Sequence, residues 1–163
     1  VEHAAGVTLW IDGYNVLTTL EAALAGGVVL AARDDAFRDM ASMHGSYRKV
    51  AETRPALDIL GKVLEQLRLG ECVWYLDRPV SNSGRLRALM EEIARRCGWS
   101  WQVELVPDPD RILAAAGTNC VIATADSVLL DQCHRWLNLA RLVIEQSVPD
   151  AWVVEFSKRG SVT

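Results

Sequence analysis

Four aspartates stand at equivalent places in this chain, each just beyond a run of residues that reads as a β-strand. Asp12 follows Val7 to Ile11, Asp77 follows Cys72 to Leu76, Asp110 lies at a helix start after Trp101 to Val106, and Asp126 sits beyond Asn119 to Ala123. In an open parallel sheet, ligands bind outside the carboxyl ends of the strands, so these side chains are candidates for one shared cleft. Carboxylates gathered in a low-dielectric cleft would repel one another by on the order of several kcal/mol unless cations or protons joined them. Hard oxygen donors of this kind suit Mg²⁺ or Mn²⁺. Asp is also a favoured helix N-cap, and all four stand near helix starts. Capping alone leaves unexplained why Asp is used at every such junction when Ser and Asn serve at Ser81 to Ser83.

The elements that would position these residues alternate along the chain. Val7 to Ile11 is a short β-rich run ending at Asp12-Gly13-Tyr14-Asn15, followed by a helical stretch Val16 to Leu24 that Gly26-Gly27 ends. A brief strand at Val28 to Leu30 precedes the charged segment Arg33 to Asp39, the least legible part. Pro55 opens a helix with Leu57, Leu60, Leu64 and Leu67 at helical spacing, closed by Gly70. After strand Cys72 to Leu76, Ser81-Asn82-Ser83-Gly84 supplies caps for a helix whose Leu86, Leu89, Met90, Ile93, Ala94 and Cys97 form one apolar face. Gly98 ends it, Trp101 to Val106 alternates like a strand, and Pro107-Asp108-Pro109-Asp110 leads into a helix Arg111 to Ala116. Strand Asn119 to Ala123 runs into the capped turn Thr124-Ala125-Asp126-Ser127, a helix Val128 to Cys133, a further helix around Trp136 to Ile144, and a last strand Ala151 to Phe156.

Strands alternating with helices throughout imply one parallel sheet covered on both faces, because each parallel neighbour needs a crossover. The expected fold is therefore an α/β protein, a three-layer α/β/α sandwich with a mainly parallel central sheet. Its 163 residues make a single domain, 1–163, with one core, and a start at Val1 points to an upstream segment that was trimmed. Half of the residues are hydrophobic and no run of about 20 is uninterruptedly apolar, so no membrane partner is expected. Cys72, Cys97, Cys120 and Cys133 form no C-x-x-C pair and sit in apolar runs, which fits buried free thiols in the cytoplasm rather than a zinc site. The net charge of −4 argues against long-range attraction of nucleic acid, unless the acids are concentrated where divalent cations invert the local potential.

Ile11-Asp12-Gly13-Tyr14-Asn15-Val16-Leu17 resembles the first-strand signature of the PIN-like nuclease superfamily, especially its NYN branch, in which a hydrophobic strand ends in Asp-Gly-x-Asn. Thr124-Ala125-Asp126 is similar to the T-x-D element ending that superfamily's fourth strand, and Asp110 falls sixteen residues upstream of Asp126, where such proteins carry a further acid. Arg33-Asp34-Asp35 through His44-Gly45-Ser46-Tyr47-Arg48, with Tyr75-Leu76-Asp77 and Val80 to Gly84, is similar to an uncharacterised prokaryotic branch of these domains.

The resemblance implies a metal-dependent ribonuclease, with Asp12, Asp77 and Asp126 holding one or two Mg²⁺ or Mn²⁺ ions and Asp110 supporting. It raises Asp34 and Asp35 as further metal ligands. Asn15, Ser81, Ser83, Gly84, Arg38 and Arg48 become candidates for phosphate, with Arg33, Arg78 and Arg85 beside them, and Thr124 and Asn15 would orient ligands or water. The partner implied is nucleic acid, RNA ahead of DNA, with a homodimer left open. Glu21, Glu52 and Glu65 are the nearest candidates for the helix-borne glutamate of many such nucleases, and no motif selects one.

Other enzyme classes fit less well. A dinucleotide site needs a glycine-rich first turn, an aspartyl phosphatase a second Asp where Tyr14 stands, and an α/β hydrolase G-x-S-x-G. The serious alternative is a non-catalytic PIN-like module binding RNA or a protein. Trp10, Trp74, Trp99, Trp101, Trp136 and Trp152 could feed a pairing surface, though most lie in expected strands and are more simply core.

Overall fold

The computed structural model describes residues 6–40 and 51–156. Among the described residues, seven strands and six helices are ordered β1 (Thr8–Asp12), α1 (Gly13–Leu24), β2 (Val28–Ala31), β3 (Phe37–Asp39), α2 (Thr53–Gln66), β4 (Cys72–Asp77), α3 (Ser83–Cys97), β5 (Trp101–Val106), α4 (Pro109–Ala114), β6 (Cys120–Ala123), α5 (Ser127–Gln132), α6 (Leu139–Ser147) and β7 (Trp152–Glu155). The central sheet has the order β5-β4-β1-β6, and every pairing in it is parallel. Helices cover both of its faces, giving the three-layer α/β/α sandwich expected from the alternation of elements.

The two faces follow from the period of two along each strand. Leu9 and Ile11 of β1, Trp74 and Leu76 of β4, and Val121 and Ala123 of β6 point into the main core, with residues of α1, α2, α3 and α6. Fully burying a side chain such as Leu9 or Ile11 contributes roughly 1.5–3 kcal/mol. The alternate residues Val73 and Tyr75 of β4 and Cys120 and Ile122 of β6 form a smaller cluster with Leu113 of α4 and Leu129 of α5. Trp10 of β1 packs on that cluster, its indole edge-on to Tyr75 at 5.3 Å between ring centres. Asp12, Asp77 and Thr124 continue this second face at the carboxyl ends of the strands.

The expectation of a single sheet is corrected. β2, β3 and β7 form a separate three-stranded sheet, order β3-β2-β7, in which β2 and β3 are antiparallel and β2 and β7 parallel. The cause is a tight reversal after β2. Asp35 N–H donates to the Ala32 carbonyl at 3.0 Å and Ala32 N–H to the Ala36 carbonyl at 3.0 Å, while Asp35 takes a left-handed φ of 64°. Asp-Asp at a turn favours such a reversal, so the charged segment is a hairpin.

Of the caps offered by Ser81 to Gly84, Asn82 occupies the N-cap of α3, with φ 64° and no side-chain cap bond. Ser83 turns its hydroxyl back to donate to the Arg78 carbonyl at 3.1 Å. Cys97 belongs to the apolar stripe of α3 by spacing yet is exposed, because it falls in the last turn before Gly98. Trp136 lies outside α6, in a short segment bridged in parallel to Ile122 of β6. Among the described residues no helix is long and apolar enough to cross a membrane.

Candidate functional site

The chain leaves β1 in one direction to build β4 and then β5, and returns across β1 to build β6 on its other side. The strand order therefore reverses at β1, and the crevice beyond the ends of β1 and β6 is where an open α/β sheet admits a ligand. Register fixes what stands there. Ile11 pairs with Ala123 and Asp12 with Tyr75, so Asp12 is next to Thr124 on one side and two residues short of the level of Asp77 on the other. Gly13 opens α1 at once, and only a glycine fits: a Cβ there would lie 2.9 Å from the Tyr75 carbonyl oxygen and 2.5 Å from a Leu76 methyl.

Asp12 is the most perturbed acid of the site. It is 7% exposed, and its Oδ2 accepts the Thr124 hydroxyl at 2.9 Å. Burial pushes its carboxyl up to about 7, against the Thr124 hydrogen bond, and the charges of Asp110 and Asp77 push the same way. Asp77 is raised by burial, then by Asp110 and Asp108. Asp110 is raised by loss of solvent, then by Asp126 and Asp108. Asp110 at the start of α4 thus acts on Asp12 and Asp77 at the ends of β1 and β4, and is itself acted on by Asp126 at the start of α5. Asp108 belongs to the same field and escaped the sequence reading. It caps α4, accepting the Arg111 N–H at 3.2 Å, and the doubled Pro-Asp of Pro107 to Asp110 was its signal.

Asp126 is the N-cap of α5, its Oδ1 accepting N–H bonds from Val128 at 2.8 Å and Leu129 at 3.0 Å. Around it the Thr124 hydroxyl accepts the Asp126 N–H at 3.1 Å, and Asn15 Oδ1 accepts the Ala125 N–H at 2.8 Å. Asn15 and Thr124 therefore tie the end of β6 to the first turn of α1.

Asp34 and Asp35 are placed differently from the other acids. The Arg38 guanidinium grips both oxygens of Asp34 at 3.0 and 2.6 Å, and with the Ala36 N–H it holds that carboxyl below its ordinary range against the upward push of burial. The Asp35 carboxylate lies 3.7 Å from Arg141 on α6. Among the described residues no three carboxylates, imidazoles or thiols are already gathered tightly enough to hold a metal ion. Donor chemistry suits a hard divalent cation at Asp12, Asp77 and Asp126, since a cation there would offset the burial that raises Asp12 and Asp77 and the added repulsion from Asp110.

The expected phosphate contacts divide. Ser81 to Gly84 lies at the same end of the sheet as Asp77, through the turn in which Val80 N–H donates to the Asp77 carbonyl at 3.2 Å. Arg78 donates to the Leu105 carbonyl at 2.9 Å, and Arg38 is held by Asp34. Arg33 and Arg85 are exposed and make no ion pair among the described residues. His44 and Arg48 lie outside the described residues. Glu21 is buried in the α1–α2 contact, where the Thr53 hydroxyl donates to it, so its place is structural.

A family model described as a domain of unknown function, DUF5616, matches residues 1–142. The chain belongs to the DUF5616 family. Over 125 residues this DUF5616 chain is 32% identical to an uncharacterised protein of Methanocaldococcus jannaschii, and the match covers 77% of the chain and 58% of that protein. The chain thus spans well under two thirds of that relative's length. No solved structure matches it. The residue range of the DUF5616 match includes Asp12, Asn15, Asp77, Asp108, Asp110, Thr124 and Asp126.

Proposed function

We propose that this DUF5616 chain is a PIN-like nuclease that hydrolyses phosphodiester bonds of single-stranded nucleic acid, RNA ahead of DNA, with Mg²⁺ or Mn²⁺. The observation that carries the reading is the buried Asp12 carboxyl at the reversal of strand order, raised by its burial and by Asp110 and Asp77. A structural aspartate gains nothing from being buried beside two other acids, whereas a cation ligand does. Asp12, Asp77 and Asp126 would hold the cation, with Asp110 adding negative charge beside them. Such an ion supplies Lewis acidity toward a phosphodiester and a source of hydroxide at neutral pH.

The chain's own groups do the positioning. The Thr124 hydroxyl and the Asn15 backbone N–H both donate to the Asp12 carboxyl and fix its orientation. Asn15 holds the peptide before Asp126. Ser83 spends its N–H on the Val80 carbonyl and its hydroxyl on the Arg78 carbonyl, so the Gly84 amide, with exposed Arg33 and Arg85, would receive phosphates either side of the scissile bond. Free thiols at Cys72, Cys97, Cys120 and Cys133 suit a reducing cytoplasmic setting.

The test is a cleavage assay on mixed single-stranded RNA and DNA oligonucleotides titrated with Mn²⁺, Mg²⁺ or EDTA. The expected outcome is cleavage only with metal, RNA faster than DNA. Absence of cleavage under every metal would favour the binding-module reading, to which the capping role of Asp126 also lends itself.

A further inference from the structure

The turn Thr124-Ala125-Asp126 is gripped from three directions by side chains. The Thr124 carbonyl accepts the Trp136 indole N–H at 2.8 Å, and the Ala125 carbonyl accepts the Arg38 Nε–H at 2.6 Å. The Ala125 N–H is held by Asn15 of α1, and the Asp126 N–H by the Thr124 hydroxyl. Four successive backbone polar groups are thus satisfied by side chains from α1, β3, the bridged segment and the turn itself. Arg38 is the member of this set tied down at its far end. While Nε reaches the Ala125 carbonyl, the two terminal nitrogens clasp Asp34, whose Oδ1 also accepts the Ala36 N–H at 3.1 Å. A guanidinium held along two edges is a rigid strut between the β2–β3 hairpin and the peptide that joins Thr124 to Asp126.

We infer that Arg38, anchored by Asp34, is a positioning residue that fixes the Ala125 peptide and through it the aim of Thr124 at Asp12 and of Asp126 into the crevice. The inference rests on the nuclease reading above, and it replaces the expectation that Arg38 binds phosphate and that Asp34 ligates metal. A guanidinium with three of its five N–H donors already on a carbonyl and a carboxylate is committed to the fold before any phosphate arrives. Lys cannot reproduce the strut, because its single ammonium cannot serve the carbonyl through Nε and both carboxylate oxygens at once.

Arg38→Lys and Asp34→Asn separate the two roles. Positioning predicts that both variants act in the same direction: kcat falls on the order of tenfold to a hundredfold, since small misplacements cost about that much. KM and its salt dependence stay unchanged. The Mn²⁺ dissociation constant, read by electron paramagnetic resonance without substrate, rises about tenfold in Arg38→Lys. Hydrogen exchange at the Ala125 and Asp126 amides quickens in both variants, and the melting temperature serves as the control for folding. A phosphate contact predicts the opposite pattern, with KM raised and the salt slope lowered by about one in Arg38→Lys, and KM lowered in Asp34→Asn as Arg38 is released. That pattern, or wild-type Mn²⁺ affinity and kcat in both variants, overturns the inference while leaving the nuclease reading intact. A parent chain that neither binds Mn²⁺ nor cleaves overturns both.

Discussion

With Mn²⁺ present, Asp126→Asn is expected to cleave single-stranded RNA on the order of a hundredfold more slowly than the parent chain, or worse, because one anionic ligand is lost. Its melting temperature should move by no more than about 2 °C. The two halves of the prediction come from different atoms. Asp126 Oδ1 accepts the N–H groups of Val128 and Leu129, and an Asn oxygen at the same place still accepts both. Folding of α5 therefore survives. What Asn lacks is the negative charge that joins Asp126 to Asp110 in one electrostatic field. If the aspartate were only a cap, cleavage by the variant would match the parent. Equal residual cleavage at trace level in both would instead point to a contaminant.

The second large effect concerns stability and pH. In EDTA the parent chain should lose stability as pH rises from about 4 to 7, because Asp12 ionises near 3.8 when unfolded and only near about 7 when folded. Between those values the unfolded chain releases a proton that the folded chain keeps, so rising pH favours unfolding. Below that window both states are protonated, and above it both are ionised and the loss stops growing. At about 1.4 kcal/mol per unit, the full loss has an upper bound of about 4 kcal/mol. Asp12→Asn does not titrate and should be more stable than the parent at pH 8 by up to that amount, yet equal to it near pH 4. Mn²⁺ should close that gap at pH 8, since an ion binding only the folded parent adds about 2.7 kcal/mol at a hundredfold excess over its dissociation constant and about 4.1 kcal/mol at a thousandfold. Chemical denaturation at several pH values, with and without Mn²⁺, checks both signs. A variant no more stable than the parent in EDTA at pH 8 would mean that Asp12 carries no strained charge.

Much of the fold was legible because its signals are local and periodic. The alternation Leu9, Ile11 against Trp10, Asp12 separates the faces of β1, and Leu86, Leu89, Met90 and Ile93 mark the buried side of α3. The four acids were legible because each follows a strand, and the parallel register brings strand ends together. What stayed hidden depends on contacts between distant segments. β3 has three residues inside a charged stretch, and only its pairing with β2 makes it a strand. Arg38 reads as a surface cation until Ala125, 87 residues away, is seen to lie against its Nε. Trp136 falls in a helical-looking stretch but is drawn alongside Ile122, where its indole N–H meets the Thr124 carbonyl. Asp34 looks the same in sequence as Asp12, and only Arg38 distinguishes a paired carboxylate from one buried among acids.

On the proposed function, Asp12, Asp77 and Asp126 share a divalent cation at the point where the strand order reverses. Anomalous diffraction from crystals soaked in Mn²⁺ tests it without reference to turnover. A manganese peak is expected within about 2.2 Å of carboxylate oxygens from at least two of these three aspartates, lost in Asp12→Asn crystals. No peak in that crevice at saturating Mn²⁺, or a peak bound instead at Asp34 and Asp35, would contradict it.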